Sequence, residues 1–292
     1  DLFYKCHNCG VGATLGKLIE YLDLNTHKDY IMERYKTGSD TITPKPEFKF
    51  NAPVFNKNKS SKGTKVVRSP ESIVKELKSI SELPHEHPAR KIVEQRKLPQ
   101  NSLKDLFLCP EFYKFTNKLI PNKFPSLDGD HPRLLIPFRD ESGEVFAYQG
   151  RAFGNEQPKY ITIKIDEDRD KIFGLDKVDK SKPILVVEGP LDSLFLDNCI
   201  AVAGADFSNI KGDLTVIYDN EPRNKEINKQ IEKTIDQGKS VCLWPDSMTH
   251  KDINDMIIAG YSKEDIQEII TNNTFSGASA KLRFAEWRKI NA

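Results

Sequence analysis

Three apolar stretches of this chain run into acid. Glu188 follows Ile184-Leu-Val-Val187, Asp219 follows Leu214-Thr-Val-Ile-Tyr218 with Glu221 two positions on, and Asp252 and Asp255 come after Ser240-Val-Cys-Leu-Trp244. A short continuous apolar run closed by a turn reads as a strand buried on both faces. Each acid then stands at or beyond the carboxyl end of a strand, the edge where open α/β sheets place their ligands. Carboxylates gathered on one edge repel one another unless cations lie between them. Ligation by oxygen alone suits Mg²⁺ (or Mn²⁺), which keeps several waters and also binds substrate phosphates. Such a metal activates a hydroxyl nucleophile and neutralises a departing pyrophosphate. One acid taken alone is more simply a cap at a loop end; the shared edge is what favours the metal.

Cations mark a second region. Pro132 to Asp140 and Glu144 to Phe153 are β-rich runs joined by the turn Glu141-Ser-Gly143, a hairpin pattern, and Lys159 to Ile163 is a third run. Arg133, Arg139, Arg151 and Lys159 punctuate them. Arginine on a rigid strand suits phosphate, because its fork is preorganised, and Gly150 beside Arg151 would let a phosphate approach the backbone. An ordinary charged sheet face explains these residues equally well. Cys6 and Cys9, in a C-x-x-C knuckle closed by Gly10, form half of a zinc ribbon. A redox pair and two idle thiols are the alternatives, and the pattern shows neither a preceding strand nor the βαβ context that redox chemistry uses. His85 and His87 lie in a turn between Pro84 and Pro88 and read as structural or surface histidines. Arg90, Arg96 and Lys97 read as a solvated helix face.

Alternating strands and helices must position the acids. After Glu188 a helix begins at Pro190, Cys199 to Gly204 is a further strand, and Asn224 to Gly238 is an amphipathic helix stopped by glycine. Ser262 with Asp265 is a capping pair. This alternation predicts a parallel α/β sheet. The expected organisation is a partial zinc ribbon with its following helix over 1–35, a basic linker over 36–70, a basic α+β subdomain over 71–180, an α/β catalytic domain over 181–275, and a tail over 276–292. That tail, with Lys281, Arg283, Arg288 and Lys289 among Leu282, Phe284 and Trp287, reads either as a basic helix that contacts a partner or as a packing helix.

Composition sets the outer bounds. A chain of 292 residues has room for two compact units, or three with one small. With a net charge of +1 it is not a polybasic binder as a whole. It holds no apolar run of the length a membrane span needs. Five cysteines, an odd number, make no disulfide framework and suit a reducing, cytoplasmic setting. The chain starts at Asp1 rather than Met, so a natural N-terminus with the missing zinc ligands is expected upstream.

The Glu188-Gly189 turn, the Asp219-Asn-Glu221 pair and the run Lys251-Asp-Ile-Asn-Asp255 resemble the signature of the Toprim fold. Arg133-Leu-Leu-Ile-Pro-Phe-Arg139, Tyr148-Gln-Gly-Arg151 and Pro158-Lys-Tyr160 resemble the basic subdomain before Toprim in bacterial-type DNA primases, and Cys6-His-Asn-Cys-Gly10 resembles the second knuckle of their zinc ribbon. Gly189-Pro-Leu-Asp-Ser-Leu-Phe195 and Asp219-Asn-Glu-Pro-Arg223 are similar to runs in primases of T-even-like bacteriophages. The resemblance covers nearly the whole chain. It implies a Toprim-type parallel sheet with helices on both faces, α+β overall, preceded by the smaller basic subdomain. It implies Glu188, Asp219 and Glu221 as catalytic Mg²⁺ ligands with Asp252 or Asp255 assisting, and Arg151 and Lys159 on the surface that holds the incoming triphosphate or the template. Cys6 and Cys9 would supply two of four Zn²⁺ ligands in the intact protein. The implied reaction joins ribonucleoside triphosphates into RNA primers on single-stranded DNA, alongside a hexameric replicative helicase and with no membrane. Glu221 replaces the second aspartate of the usual Asp-x-Asp, and unwinding is expected to come from a partner. A Toprim nuclease and a non-catalytic single-stranded-DNA-binding subunit are the rival readings; a topoisomerase needs a further large domain carrying a nucleophilic tyrosine.

Overall fold

The structure, a computed structural model, describes residues 3–5, 12–15, 19, 26, 30, 69–204, 210 and 212–289. The chain divides into two units, Asp1–Val67 and Arg68–Ala292. In the first, β1 (Phe3–Lys5) pairs antiparallel with β2 (Gly12–Thr14). A strand therefore does precede Cys6, against the expectation from pattern. Cys6 and Cys9 themselves, and the linker as far as residue 68, lie outside the described residues.

The second unit opens with α1 (Pro70–Val74) and α2 (Pro88–Gln95), separated by a 3-10 turn at Ile80–Glu82. His87 caps α2 by accepting from the Ala89 amide, and His85 bonds Glu94, so both histidines have the structural duty expected of them. A second 3-10 turn, Gln100–Asp105, leads to β3 (Phe107–Cys109) and α3 (Phe112–Leu119). Then follow β4 (Arg133–Arg139), β5 (Val145–Ala152) and β6 (Tyr160–Lys164). These strands form an antiparallel sheet in the order β3-β4-β5-β6. The expected hairpin is β4–β5, and Gly143 takes the left-handed conformation in its turn (φ +85°). On one face Leu135, Tyr148 and Ile163 pack against Phe112 and Phe115 of α3. On the other, Leu134, Ile136 and Phe138 share a core with the second sheet.

This packing corrects three expectations. Arg133 lies on the Leu135 face of β4, so its side chain enters the core: it has no exposed surface, lies 5.6 Å from the Phe112 ring and donates to the Gly150 and Lys159 carbonyls. A guanidinium so enclosed offers nothing to a phosphate. Arg139 is already neutralised, gripping Glu71 of α1 and the Gly143 carbonyl. Gly150 serves α3 and no ligand: a Cβ there would stand 2.2 Å from the Phe112 ring.

The second sheet is built from β7 (Ile184–Val187), the one-turn α4 (Pro190–Ser193), β8 (Cys199–Ala201), β9 (Leu214–Ile217), α5 (Lys225–Asp236) and β10 (Ser240–Cys242). There follow α6 (Ile253–Ala259), α7 (Lys263–Asn272), β11 (Thr274–Phe275) and α8 (Gly277–Trp287). The order is β11-β10-β9-β7-β8, parallel except for β11 at the edge. Every residue of β7 and β9 is buried, which is why those strands read as unbroken apolar runs. Leu185 and Val187 face the core shared with the first sheet; Ile184 and Val186 face α5 and α8. Asn224 caps α5, and Ser262 with Asp265 forms the expected capping box on α7. The tail is a packing helix: Ala280, Phe284 and Trp287 are buried, while Lys281 pairs with Asp236 and Arg283 with Glu286. Among the described residues no helix is long and apolar enough to cross a membrane.

Candidate active site

Chain order reverses around β7. The connection from β7 leads outward to β8, while β9 returns on the other side and β10 lies beyond it. A parallel sheet opens a crevice at such a switch point, outside the carboxyl ends of its strands. Glu188 leaves β7 there, and Asp219 stands two residues beyond β9. The loop after β9 is tied to the loop after β10. Asn220 donates from its side chain to the Met248 and His250 carbonyls and from its backbone to Lys251, and the Trp244 indole donates to the Tyr218 carbonyl at 2.8 Å.

Glu188, Asp192, Asp219 and Asp252 line one small cavity of about 10 Å³, close to the ~10–15 Å³ that one water needs. Burial, then the charge of Glu188, pushes the Asp219 carboxyl up to about 6; Asp252 and Glu221 add to this and Lys251 opposes it. Asp192 is pushed up to about 7, first by burial and then by Asp252. Its seat depends on Gly189, since a Cβ at that position would meet Asp192 Oδ2 at 2.6 Å. The Asn254 amide donates to its other oxygen at 3.1 Å. Asp252 also caps α6, accepting from the Asp255 amide at 2.7 Å. Glu221 turns away from this hole toward a larger neighbouring cavity. The Lys251 ammonium spans the gap, 3.3 Å from Glu221 and 3.8 Å from Asp219. Asp255 stands apart, exposed on the first turn of α6.

Three cations come next, Arg151 and Lys159 from the first sheet and Arg96 from the end of α2. Arg151 is buried, donates to the Tyr160 hydroxyl at 3.1 Å and to the Ala152 carbonyl, and lies 5.7 Å from the Tyr160 ring. Exposed Lys159 stands 5.8 Å from the other cation's ring partner, Tyr160. Arg96, expected on a solvated face, is half-buried and interacts with Arg151, Asp192 and Asp252. Its guanidinium donates to Asn254 Oδ1, and the Asn254 amide nitrogen returns a bond to the Arg96 carbonyl, both at 2.7 Å. Burial, then the charge of Arg151, holds Arg96 below its usual value. Asp192, Arg96 and Asn254 are thus site residues that reading the sequence missed. For Asp192 the signal was present: a glycine after Glu188 and a one-turn helix bring the fourth residue on back beside the first. For Arg96 no local signal exists, because its partner is 158 residues away.

Among the described residues no three His, Cys, Asp or Glu side chains form a closed metal cage. Hard oxygen donors that repel one another, with an ammonium drawn between two of them, still fit a divalent cation. Mg²⁺ is commonly held by one or two carboxylates, waters and substrate phosphates rather than by an all-protein cage.

No family model matches the sequence. The DNA primase of Enterobacteria phage T4 is 32% identical over 293 residues, a match covering 98% of this chain and 81% of that protein. The zinc-binding and RNA polymerase domains of the Aquifex aeolicus primase superpose with a TM-score of 0.55 at 20% identity, over 94% of this chain and 74% of theirs. A primase catalytic domain bound to single-stranded DNA gives a TM-score of 0.52 at 18% identity, over 73% and 80% of the two chains. The two structural likenesses agree with a Toprim-type core, and the sequence match, long and nearly complete, establishes that the chain belongs to the DNA primase family.

Proposed function

We propose that this chain joins ribonucleoside triphosphates into short RNA primers on single-stranded DNA, at the carboxyl edge of β7 and β9. The observation that carries the reading is the meeting of two unlike groups: Glu188, Asp192, Asp219 and Asp252 around one hole, with Arg96 beside Asp192 and Asp252. A nucleotidyl transfer needs both. Arg96, half-buried beside the acids, holds and orients phosphate oxygens by charge-assisted bonds, and buried Arg151 adds positive charge near it, while the carboxylates supply hard oxygen donors. Glu188 and Asp219, with Glu221 or Asp252 assisting, would hold Mg²⁺ or Mn²⁺. That cation, when bound, supplies charge neutralisation for the pentavalent phosphorus and the leaving pyrophosphate. Asn254 keeps Arg96 in register with Asp192, because it contacts both. Lys159, exposed beside Tyr160, extends the basic surface toward template or triphosphate.

Three further assignments belong to the same reading. Cys6 and Cys9 bind Zn²⁺ with two further ligands. Asp255 takes a lesser part than Asp252, at the rim. A hexameric helicase supplies the unwound strand. Incubating the protein with single-stranded DNA, the four ribonucleoside triphosphates and Mg²⁺ should yield short RNA, and none with chelator. Cleaved DNA without any RNA product would replace the reading with a nuclease, and DNA binding with neither product would leave a non-catalytic subunit.

A further inference from the structure

Metal-assisted phosphoryl transfer commonly uses two cations, about 3.5–4 Å apart, that stabilise the attacking and the leaving oxygens. The acids of this chain offer two cations unequal places. Glu188, Asp192, Asp219 and Asp252 line the hole of about 10 Å³, and Glu221 and Lys251 do not. Glu221 instead faces the Lys251 ammonium at 3.3 Å, and Asp219 shares that ammonium at 3.8 Å. A lysine that merely brushes a surface carboxylate contributes little. This one is held from its backbone. Asn220, the residue between the two acids, donates its amide to the Lys251 carbonyl at 2.7 Å. Its side chain donates to the Met248 and His250 carbonyls at 2.8 and 3.2 Å. Lys251 is thereby clipped to the middle of the Asp219-Asn-Glu221 turn, and its four-carbon stem starts within reach of both acids. The turn is fixed as well: the Glu221 amide donates to the Asp219 carbonyl at 2.8 Å, and the Asn224 amide to the Glu221 carbonyl at 2.9 Å. The Lys251 side chain is 52% exposed, so its removal spares the fold.

We propose that the Lys251 ammonium is a built-in second cation: it occupies the place between Asp219 and Glu221, and the nucleotide-free protein takes one divalent ion there instead of two. The proposal rests on the primase reading above and divides the acids within it. Glu188, Asp219 and Asp252 serve the divalent ion, and Glu221 serves the lysine. An ammonium carries one charge and three N–H donors, so it neutralises the Asp219–Glu221 pair without a metal. It cannot generate a metal-bound nucleophile, which leaves that task to the ion at the hole.

Counting bound Mn²⁺ by electron paramagnetic resonance on the full chain, without nucleotide, tests this independently of RNA synthesis. Lys251→Met should bind one more Mn²⁺ per chain than the parent. Lys251→Arg, which keeps the charge, should bind the same number as the parent. Adding Glu221→Gln to Lys251→Met should remove the extra ion again. In RNA synthesis on single-stranded DNA, Lys251→Met should need about tenfold more Mg²⁺ for half-maximal rate, the scale of one charged hydrogen bond, and recover at high Mg²⁺. A Lys251→Met protein that binds no more Mn²⁺ than the parent, or an extra ion that survives Glu221→Gln, would overturn the proposal. Parent protein that makes no RNA at any Mg²⁺ concentration would instead overturn the primase reading beneath it, whatever the Mn²⁺ counts.

Discussion

Asp192 shows most plainly how the residues of the site are coupled. Its carboxyl is pushed to about 7 by burial and by Asp252, so the folded protein keeps a proton that the unfolded chain releases near pH 4. Between those values the native state binds more protons than the unfolded state, and stability falls as pH rises through the window. Asp219, pushed to about 6, acts in the same direction. Asp192→Asn removes one such proton but can keep the bond from the Asn254 amide. In chelator, the variant should melt on the order of 3–6 °C above the parent at pH 8, with the gap closing toward pH 4. Scanning calorimetry at the two pH values checks this; a gap that does not change with pH would contradict it.

At the scale of elements, the antiparallel sheet is fitted to α3 through one missing side chain. Gly150 lets the Phe112 ring lie against β5, with Arg133 on the same ring. Gly150→Ala overpacks this contact and should cost about 1–3 kcal/mol. Pairing it with Phe112→Leu should recover part of that loss, since the two positions touch; urea midpoints of the singles and the double give the coupling, and strict additivity would refute it. This is also where the sequence reading reached its limit. The acids after β7 and β9 were legible because a doubly buried strand is an unbroken apolar run, and its end is easy to see. The face chosen by an arginine on a half-buried strand was not. Arg133 and Arg151 look alike in sequence, yet register turns one into the Phe112 core and sets the other opposite Leu134, on the face toward the second sheet. Arg96 was illegible for a different reason: its place is set by Asn254, and no period or cap announces a contact of that range.

For the whole molecule, charge is balanced in sum and separated in space. There are 44 Lys and Arg against 43 Asp and Glu, so affinity for a polyanion must come from a local field around Arg96, Arg151 and Lys159. Each phosphate contact to single-stranded nucleic acid contributes about 0.7 to the slope of log affinity against log salt. Lys159→Ala should therefore weaken single-stranded DNA binding at low salt and flatten that slope by about 0.7, as fluorescence anisotropy across a salt series would show. An unchanged slope would remove Lys159 from the DNA surface. The negative half of the field, on the β7–β9 edge, has the other task. Its test is Glu188→Gln, which removes one charge from an exposed side chain at the end of β7 and leaves the strand's buried residues untouched. RNA synthesis on single-stranded DNA with Mg²⁺ should fall by at least about a hundredfold, the scale of losing one electrostatic catalytic group, while DNA affinity stays within about twofold. Full RNA synthesis by Glu188→Gln would contradict the assignment of the carboxylate edge as the seat of the chemistry.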